Sequence, residues 1–385
     1  MPASGSASRA KSSRRSADGC FASRRAPASA PASRRPWPPP PAPDRFMVWL
    51  RFGALIVLAT TAMVGDARSA GSAPSLQLPV DCVIGETCFV QFHVDLAPGK
   101  PIQDFACGVL TYDEHKGTDF RLPDYAAMRA GVDVLAAADG VVRAVRDGEP
   151  EISVDERGQE SLEGKDAGNA VVISHSDGWE TQYSHLMKGS LAVKPGDVVV
   201  AGQRLGKIGL SGNSNFPHLD FAVRLGEAAI DPYVGPTPGQ DCRAKRAPLW
   251  NAETLALLSY QPTGVLLSGF AVGKPDKARV RDGAERALSF STDAPALTFY
   301  ADVYGLRAGD IEEFRLIGPG GVELVAHRHV LEADAHQHFD FAGRKQPKGG
   351  WPPGVYRGEY RLVRTIDGRP TVVASATGEA TLNAR

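Results

Sequence analysis

Three short segments carry side chains that could hold a metal ion and hydrolyse an amide: His115-Lys116-Gly117-Thr118-Asp119, Tyr183-Ser184-His185-Leu186 and Pro217-His218-Leu219-Asp220-Phe221. His115 and Asp119 stand four apart around a glycine, a spacing that suits a loop bringing an imidazole and a carboxylate onto one ion. His218 and Asp220 are i and i+2 on a predicted strand, so both project from one face. Taking Asp220 as the second carboxylate gives three protein donors, His115, Asp119 and Asp220. A fourth position is left for water, the open arrangement that a catalytic zinc requires. The remaining imidazoles, His185 and His218, then serve the substrate.

The elements that must position these groups read as strands. Val132 to Leu135, Gly140 to Val145, Ala170 to Ser174, Val198 to Val200 and Phe221 to Arg224 are short β-branched runs broken by Gly and Asp-Gly, the pattern of mostly antiparallel β structure. Asp147-Gly148 and Asp177-Gly178 are hairpin signals, the latter joining Val171-Val172-Ile173 to Glu180-Thr181-Gln182-Tyr183. The polar, acidic stretch from Arg146 to Asn169 predicts a long exposed loop, and with Leu122 to Ala130 it is the expected wall of a substrate groove. Residues 236–262, with four prolines, read as a linker with a helical turn near Ala252 to Leu258. Beyond it, seven runs between Val265 and Ala374 predict a β-sandwich of immunoglobulin-like architecture.

The chain has 385 residues and a net charge of -1, but the balance is uneven. Residues 1–46 hold nine basic side chains against Asp18 and Asp44, in a Pro/Ser/Ala-rich stretch with no apolar periodicity, read as a disordered or untranslated leader. From Met47 a basic start, an uncharged run from Phe52 to Gly65 and Ala67-Arg68-Ser69 read as a signal peptide over 47–70, so the membrane is met only transiently. The run falls short of the ~20 apolar residues of a stable span. The remainder is mildly acidic, which argues against a nucleic-acid partner. Past the leader four cysteines remain, Cys82, Cys88, Cys107 and Cys242, an even count that suggests two disulfides in an oxidising compartment. Of three connectivities, Cys82 with Cys88 and Cys107 with Cys242 is preferred, because five intervening residues make an easy hairpin staple.

The chemical segments, together with Val193-Lys194-Pro195-Gly196-Asp197, Gly202-Gln203-Arg204-Leu205-Gly206, Gly209 to Asn213 and Asp231-Pro232-Tyr233, resemble the lysostaphin-type, or LytM-like, zinc metallopeptidases that cut peptidoglycan peptides. The resemblance covers about a third of the chain and runs through several elements in the family order. It implies an all-β protein with a LytM-like (duplicated hybrid motif) peptidase domain at 108–235. Before it comes a disulfide-stapled segment at 71–107, and after the linker an accessory sandwich at 263–385. It implies metal ligation by His115 and Asp119, with His185 and His218 positioning water and stabilising the tetrahedral intermediate. One Zn2+ per chain is expected, with Mn2+ the lesser alternative. The expected function is that of an exported endopeptidase, periplasmic or secreted, acting on peptidoglycan cross-links or stem peptides. A cell-wall amidase or envelope protein bound through the C-terminal domain is the further partner. The departure is Asp220, where the family has the second histidine of H-x-H. A carboxylate is an accepted zinc donor, but two carboxylates and one imidazole neutralise the dication and leave its water less acidic. The alternative reading is therefore a catalytically impaired relative that binds peptidoglycan or activates a wall amidase.

Other histidines carry less. His93 has no partner pattern, and His175 before an Asp-Gly turn reads as a solvated strand end. His327 with His329 and His336 with His338 are H-x-H pairs on predicted strands; they could form a metal site, and a solvated strand face is the expectation. The Gly206-x-x-Gly209-x-x-Gly212 spacing lacks the strand-to-helix context of a nucleotide loop.

Overall fold

In the computed structural model, residues 73–97, 99–237 and 241–384 are described. The expected leader and signal peptide lie outside them. Among the described residues no helix is long and apolar enough to cross a membrane.

The first domain is built on antiparallel strands: β1 (Phe89–Phe92), β2 (Thr118–Arg121), β3 (Asp133–Leu135), β4 (Gly140–Arg146), β5 (Asn169–Ser174), β6 (Trp179–Leu186), β7 (Val198–Val199), β8 (Arg204–Lys207), β9 (His218–Leu225) and β10 (Ala228–Ile230). One sheet runs β1-β2-β9-β6-β5-β4-β7 with β10 beside β9, and β3 pairs β8 separately. The period of two fixes the faces: Leu219, Phe221 and Val223 of β9 point into the core, where Phe221 lies 5.3 Å from Tyr183 and 5.5 Å from Trp250 between ring centroids. His218 and Asp220 therefore stand on the opposite face. The Asp177-Gly178 hairpin joins β5 to β6 as expected. Asp147-Gly148 instead opens the long excursion between β4 and β5. There the long loop expected carries α2 (Val154–Arg157) and a 3-10 turn at Gln159–Leu162, pinned by the buried Leu162. Helix α1 (Tyr125–Ala130) precedes it, started by Asp124, which accepts a 2.8 Å hydrogen bond from the Ala127 N–H.

The residues read as linker pack into this core. The Leu76 N–H donates to the Leu249 carbonyl and the Asn251 N–H to the Leu76 carbonyl, so the N-terminal segment and residues 249–251 pair. Leu249, Trp250 and Leu258 are buried beside it. Asn251 caps α3 (Ala252–Leu257). The disulfides are Cys82–Cys88 and Cys107–Cys242, the preferred pairing, and the second ties the start of the domain to this closing segment.

The C-terminal domain comprises β11 (Gly264–Val272), α4 (Lys277–Asp282), β12 (Ser289–Ser291), β13 (Ala296–Leu306), β14 (Ile311–Ile317), β15 (Glu323–Val330), β16 (Ala335–Lys345), β17 (Gly354–Ile366) and β18 (Arg369–Asn383). A three-stranded sheet, β11-β13-β16, faces a five-stranded one, β12-β18-β17-β14-β15. Phe299, Phe314, Tyr356 and Tyr360 fill the space between. Strand β12, too short to read in the sequence, joins β18 in parallel. The sandwich packs directly on the first domain. Phe89, Leu110, Leu266 and Tyr304 form a shared apolar cluster. Arg121 donates to Gln337 at 3.1 Å, Arg129 pairs with Asp282 at 2.7 Å, and Arg286 pairs with the buried Asp124.

Candidate metal centre and active site

Strand register creates the site. In the β2–β9 pair Asp119 lies directly opposite Asp220 and Arg121 opposite His218, so two carboxylates share one face as nearest cross-strand neighbours. In β6, Trp179, Thr181 and Tyr183 alternate toward the core, and His185 would follow them. A register shift between Asn169 and Val171 in the β5–β6 pair and a left-handed backbone at His185 (φ 62°) break the alternation and bring its ring within 4.6 Å of His218. Non-glycine residues seldom adopt that conformation, and where they do the surroundings hold them there.

His115 Nε2 is 3.2 Å from Asp119 Oδ1 and 3.9 Å from Asp220 Oδ1, and His218 Nε2 is 3.8 Å from Asp119 Oδ1. The donor atoms of His115, Asp119 and Asp220 all lie within 4.8 Å of one another. Each imidazole is fixed by its other nitrogen. His115 Nδ1 donates to the His93 carbonyl at 2.8 Å, His185 Nδ1 to the Ser211 carbonyl at 2.7 Å, and His218 Nδ1 to the Phe216 carbonyl at 2.8 Å. That arrangement sets the tautomer and leaves Nε2 of each ring free for the site. Tyr112 stacks on His115 with centroids 4.2 Å apart, and Phe216 lies 4.5 Å from His218.

The group fits a divalent cation. His115 Nε2, Asp119 Oδ1 and Asp220 Oδ1 are all buried without a hydrogen-bond partner, which is costly for polar atoms unless something charged satisfies them. The like charges of Asp119 and Asp220 would otherwise repel. Burial and the neighbouring Asp119 anion push the Asp220 carboxyl up. For His115, burial acts to lower the imidazole, but Asp119 and Asp220 outweigh it and raise it to about 9. Burial, only partly offset by Asp119, lowers His218 to about 4 and keeps it neutral. One nitrogen and two oxygens are a donor set that zinc accepts.

Sequence reasoning missed the supporting groups. His93 is buried, set edge-on against the stacked rings of Phe105 and Tyr233 with ring centroids 4.8 and 5.2 Å away, and its carbonyl accepts from both Thr111 Oγ1 and His115. Backbone acceptors leave no mark in side-chain types. His175 is partnered rather than merely solvated, through the Asp139 carbonyl and Thr181. Tyr183 faces the core, where its hydroxyl accepts from the Ala137 N–H at 2.7 Å. Beside His218 opens a cleft of about 580 Å³ lined by Arg121, Tyr125, Ser153, Asp155, Asn215 and Phe216, and closed on its far side by Lys277 and Arg281 of the sandwich. Both segments expected as groove walls contribute to it. The wall from the second domain was not anticipated.

The first domain thus gathers imidazoles and carboxylates on one face of an antiparallel sheet. Residues 113–232 match the profile of Peptidase family M23. The chain is 36% identical over 109 residues to the peptidoglycan DD-endopeptidase ShyA of Vibrio cholerae, covering 28% of this chain and 20% of ShyA. It is 30% identical over 125 residues to an uncharacterized metalloprotease of Haemophilus influenzae, covering 32% of this chain and 22% of that one. The chain thus spans about a fifth of the length of these curated relatives. Among solved structures, the catalytic domain of a mutant of the prophage-encoded M23 protein EnpA from Enterococcus faecalis matches 42% of this chain at 23% identity and a TM-score of 0.27.

Proposed function

We propose that this protein is an exported zinc metalloendopeptidase that hydrolyses amide bonds in peptidoglycan cross-links or stem peptides. The observation that carries the reading is the cluster of three buried, unsatisfied donor atoms on His115, Asp119 and Asp220 beside two imidazoles with free Nε2 atoms. His115, Asp119 and Asp220 would hold the ion, which when bound supplies Lewis-acid polarisation and a water of lowered pKa. His218, neutral at neutral pH and fixed through Nδ1, accepts a proton from the attacking water at Nε2 and returns it to the departing amine nitrogen. His185, held through Nδ1 by the Ser211 carbonyl, presents Nε2 to the site, where as the imidazolium it donates to the oxygen that gains charge. The cleft beside Phe216 receives the peptide, between walls that carry both cationic (Arg121, Lys277) and anionic (Asp124, Asp155, Asp282) side chains. Two disulfides support an oxidising, periplasmic or extracellular setting.

Metal analysis combined with digestion of purified sacculi tests this. Wild type should bind zinc at the His115 centre and release new amines. Asp220→Ala and His115→Ala should lose both metal and activity, whereas His218→Ala should keep the metal and lose about 10²–10⁴-fold in kcat. Absence of amine release by the zinc-loaded wild type, with activity appearing only in Asp220→His, would establish the impaired, binding or amidase-activating alternative.

A further inference from the structure

The inner face of the sandwich breaks its own rule in one place. Along β14 the inward positions are Glu312, Phe314 and Leu316; along β16 they are His338, Asp340 and Ala342, opposite the core residues Val303, Ala301 and Phe299 of β13. Three ionisable side chains thus occupy positions that alternation assigns to apolar ones. They come from different sheets and meet where β16, the edge of one, passes over β14 of the other. Glu312 is fully buried, and His338 is about a third exposed, so the cluster opens to solvent on one side.

His338 Nε2 lies 3.3 Å from Glu312 Oε2, and the donor atoms of Glu312, His338 and Asp340 all lie within 4.8 Å of one another. Glu312 Oε1 accepts from the Tyr360 hydroxyl at 2.9 Å and Asp340 Oδ1 from the Phe341 N–H at 2.8 Å, which leaves each carboxylate a second oxygen. Glu312 Oε2 is buried with no hydrogen-bond partner although it faces the imidazole. An ordinary imidazole–carboxylate contact at this distance would be aligned as a hydrogen bond, and this one is not. The separation equals instead the edge of a tetrahedron whose donors sit about 2.0–2.1 Å from a central ion, roughly 3.3 Å. The first site has the same signature, unpaired donors 3.2 Å apart. His329, the register partner of Glu312 on β15, lies parallel to His338 with centroids 6.3 Å apart. A second carboxylate beside a buried one is unfavourable without a cation.

We propose that Glu312, His338 and Asp340 form a second site for a divalent transition metal of the zinc class, joining the two sheets of the sandwich. It is independent of the peptidase reading. Its role is a cross-link between β14 and β16, near the face on which the sandwich meets the first domain through Gln337. The expectation of a merely solvated strand face holds for His327 of β15, which is exposed, and fails at His338, on which the exposed His329 stacks.

The test uses the whole protein, stripped of metal, reloaded with zinc alone and dialysed before metal analysis. Wild type should retain two equivalents. Glu312→Gln, which keeps the Tyr360 contact, and His338→Asn, partly exposed and tolerant of change, should each retain one equivalent, with affinity for the other down at least a hundredfold. His115→Ala should lose the opposite one, and its cobalt-loaded form should show the visible absorption of the sandwich site, abolished by adding His338→Asn. Wild-type stoichiometry in both sandwich variants, or complete loss of metal in His115→Ala, overturns the proposal. Failure of the first site alone would leave one equivalent that His338→Asn removes.

Discussion

At the residue scale, the side chains proposed to do the chemistry stand out in the sequence because few arrangements need imidazoles and acids at these intervals, and the structure gathers His115, Asp119, His185, His218 and Asp220. What cannot be read from residue types is the carbonyl of His93, Ser211 or Phe216 on which each ring turns. Electrostatic surroundings are equally hidden. Asp231, in the Asp-Pro-Tyr that closes the domain, is pushed up to about 7, chiefly by burial. A carboxyl raised in the folded state gives its full stabilisation below its unfolded pKa of 3.8. As pH rises the unfolded chain loses its proton first, so that contribution is lost between about pH 4 and about pH 7 and stays lost above. Urea unfolding of wild type and Asp231→Asn over that range should give a wild-type stability that falls relative to the variant with rising pH. A constant difference would show that Asp231 does not titrate in this way.

At the scale of elements, the period of two placed His218 and Asp220 on one face of a strand, and β9 has them there. The pairing of Asp119 with Asp220, and the shift that turns His185 out of the core, depend on register between strands far apart in sequence. Local pattern does not encode such register. Gly117, between His115 and Asp119, illustrates what close approach demands: a Cβ there would overlap Asp220 Oδ1 and press on the Phe221 carbonyl. Gly117→Ala should therefore displace Asp220, lowering zinc affinity and amine release at least tenfold while far-UV circular dichroism stays native. Full metal retention would show that Asp220 is not held where it is placed here.

At the scale of the whole molecule, the two-part β architecture was legible, because strand spacing and punctuation repeat throughout. The union of the parts was not. Residues 236–262 read as a linker because of their four prolines, yet Leu249, Trp250 and Leu258 within them seal the first core. The sandwich supplies a wall of the cleft, through contacts such as Arg121 with Gln337 that only tertiary structure creates. The disulfides differ in what they constrain. Cys107–Cys242 closes a separation of 135 residues and Cys82–Cys88 one of 6. Loop-closure entropy assigns them about 5 and about 2 kcal/mol at most. The double serine variant at Cys107 and Cys242 should accordingly lose more in Tm than that at Cys82 and Cys88; the reverse order would contradict a constraint set by loop length. Underlying all scales is the proposal that His115, Asp119 and Asp220 converge on one cation. Anomalous diffraction at the zinc edge from crystals of the zinc-loaded protein tests it most directly. The expected result is a peak about 2.0–2.2 Å from His115 Nε2 and from one oxygen each of Asp119 and Asp220. The contradicting result is no peak there, or a bound ion with the Asp220 carboxylate turned away.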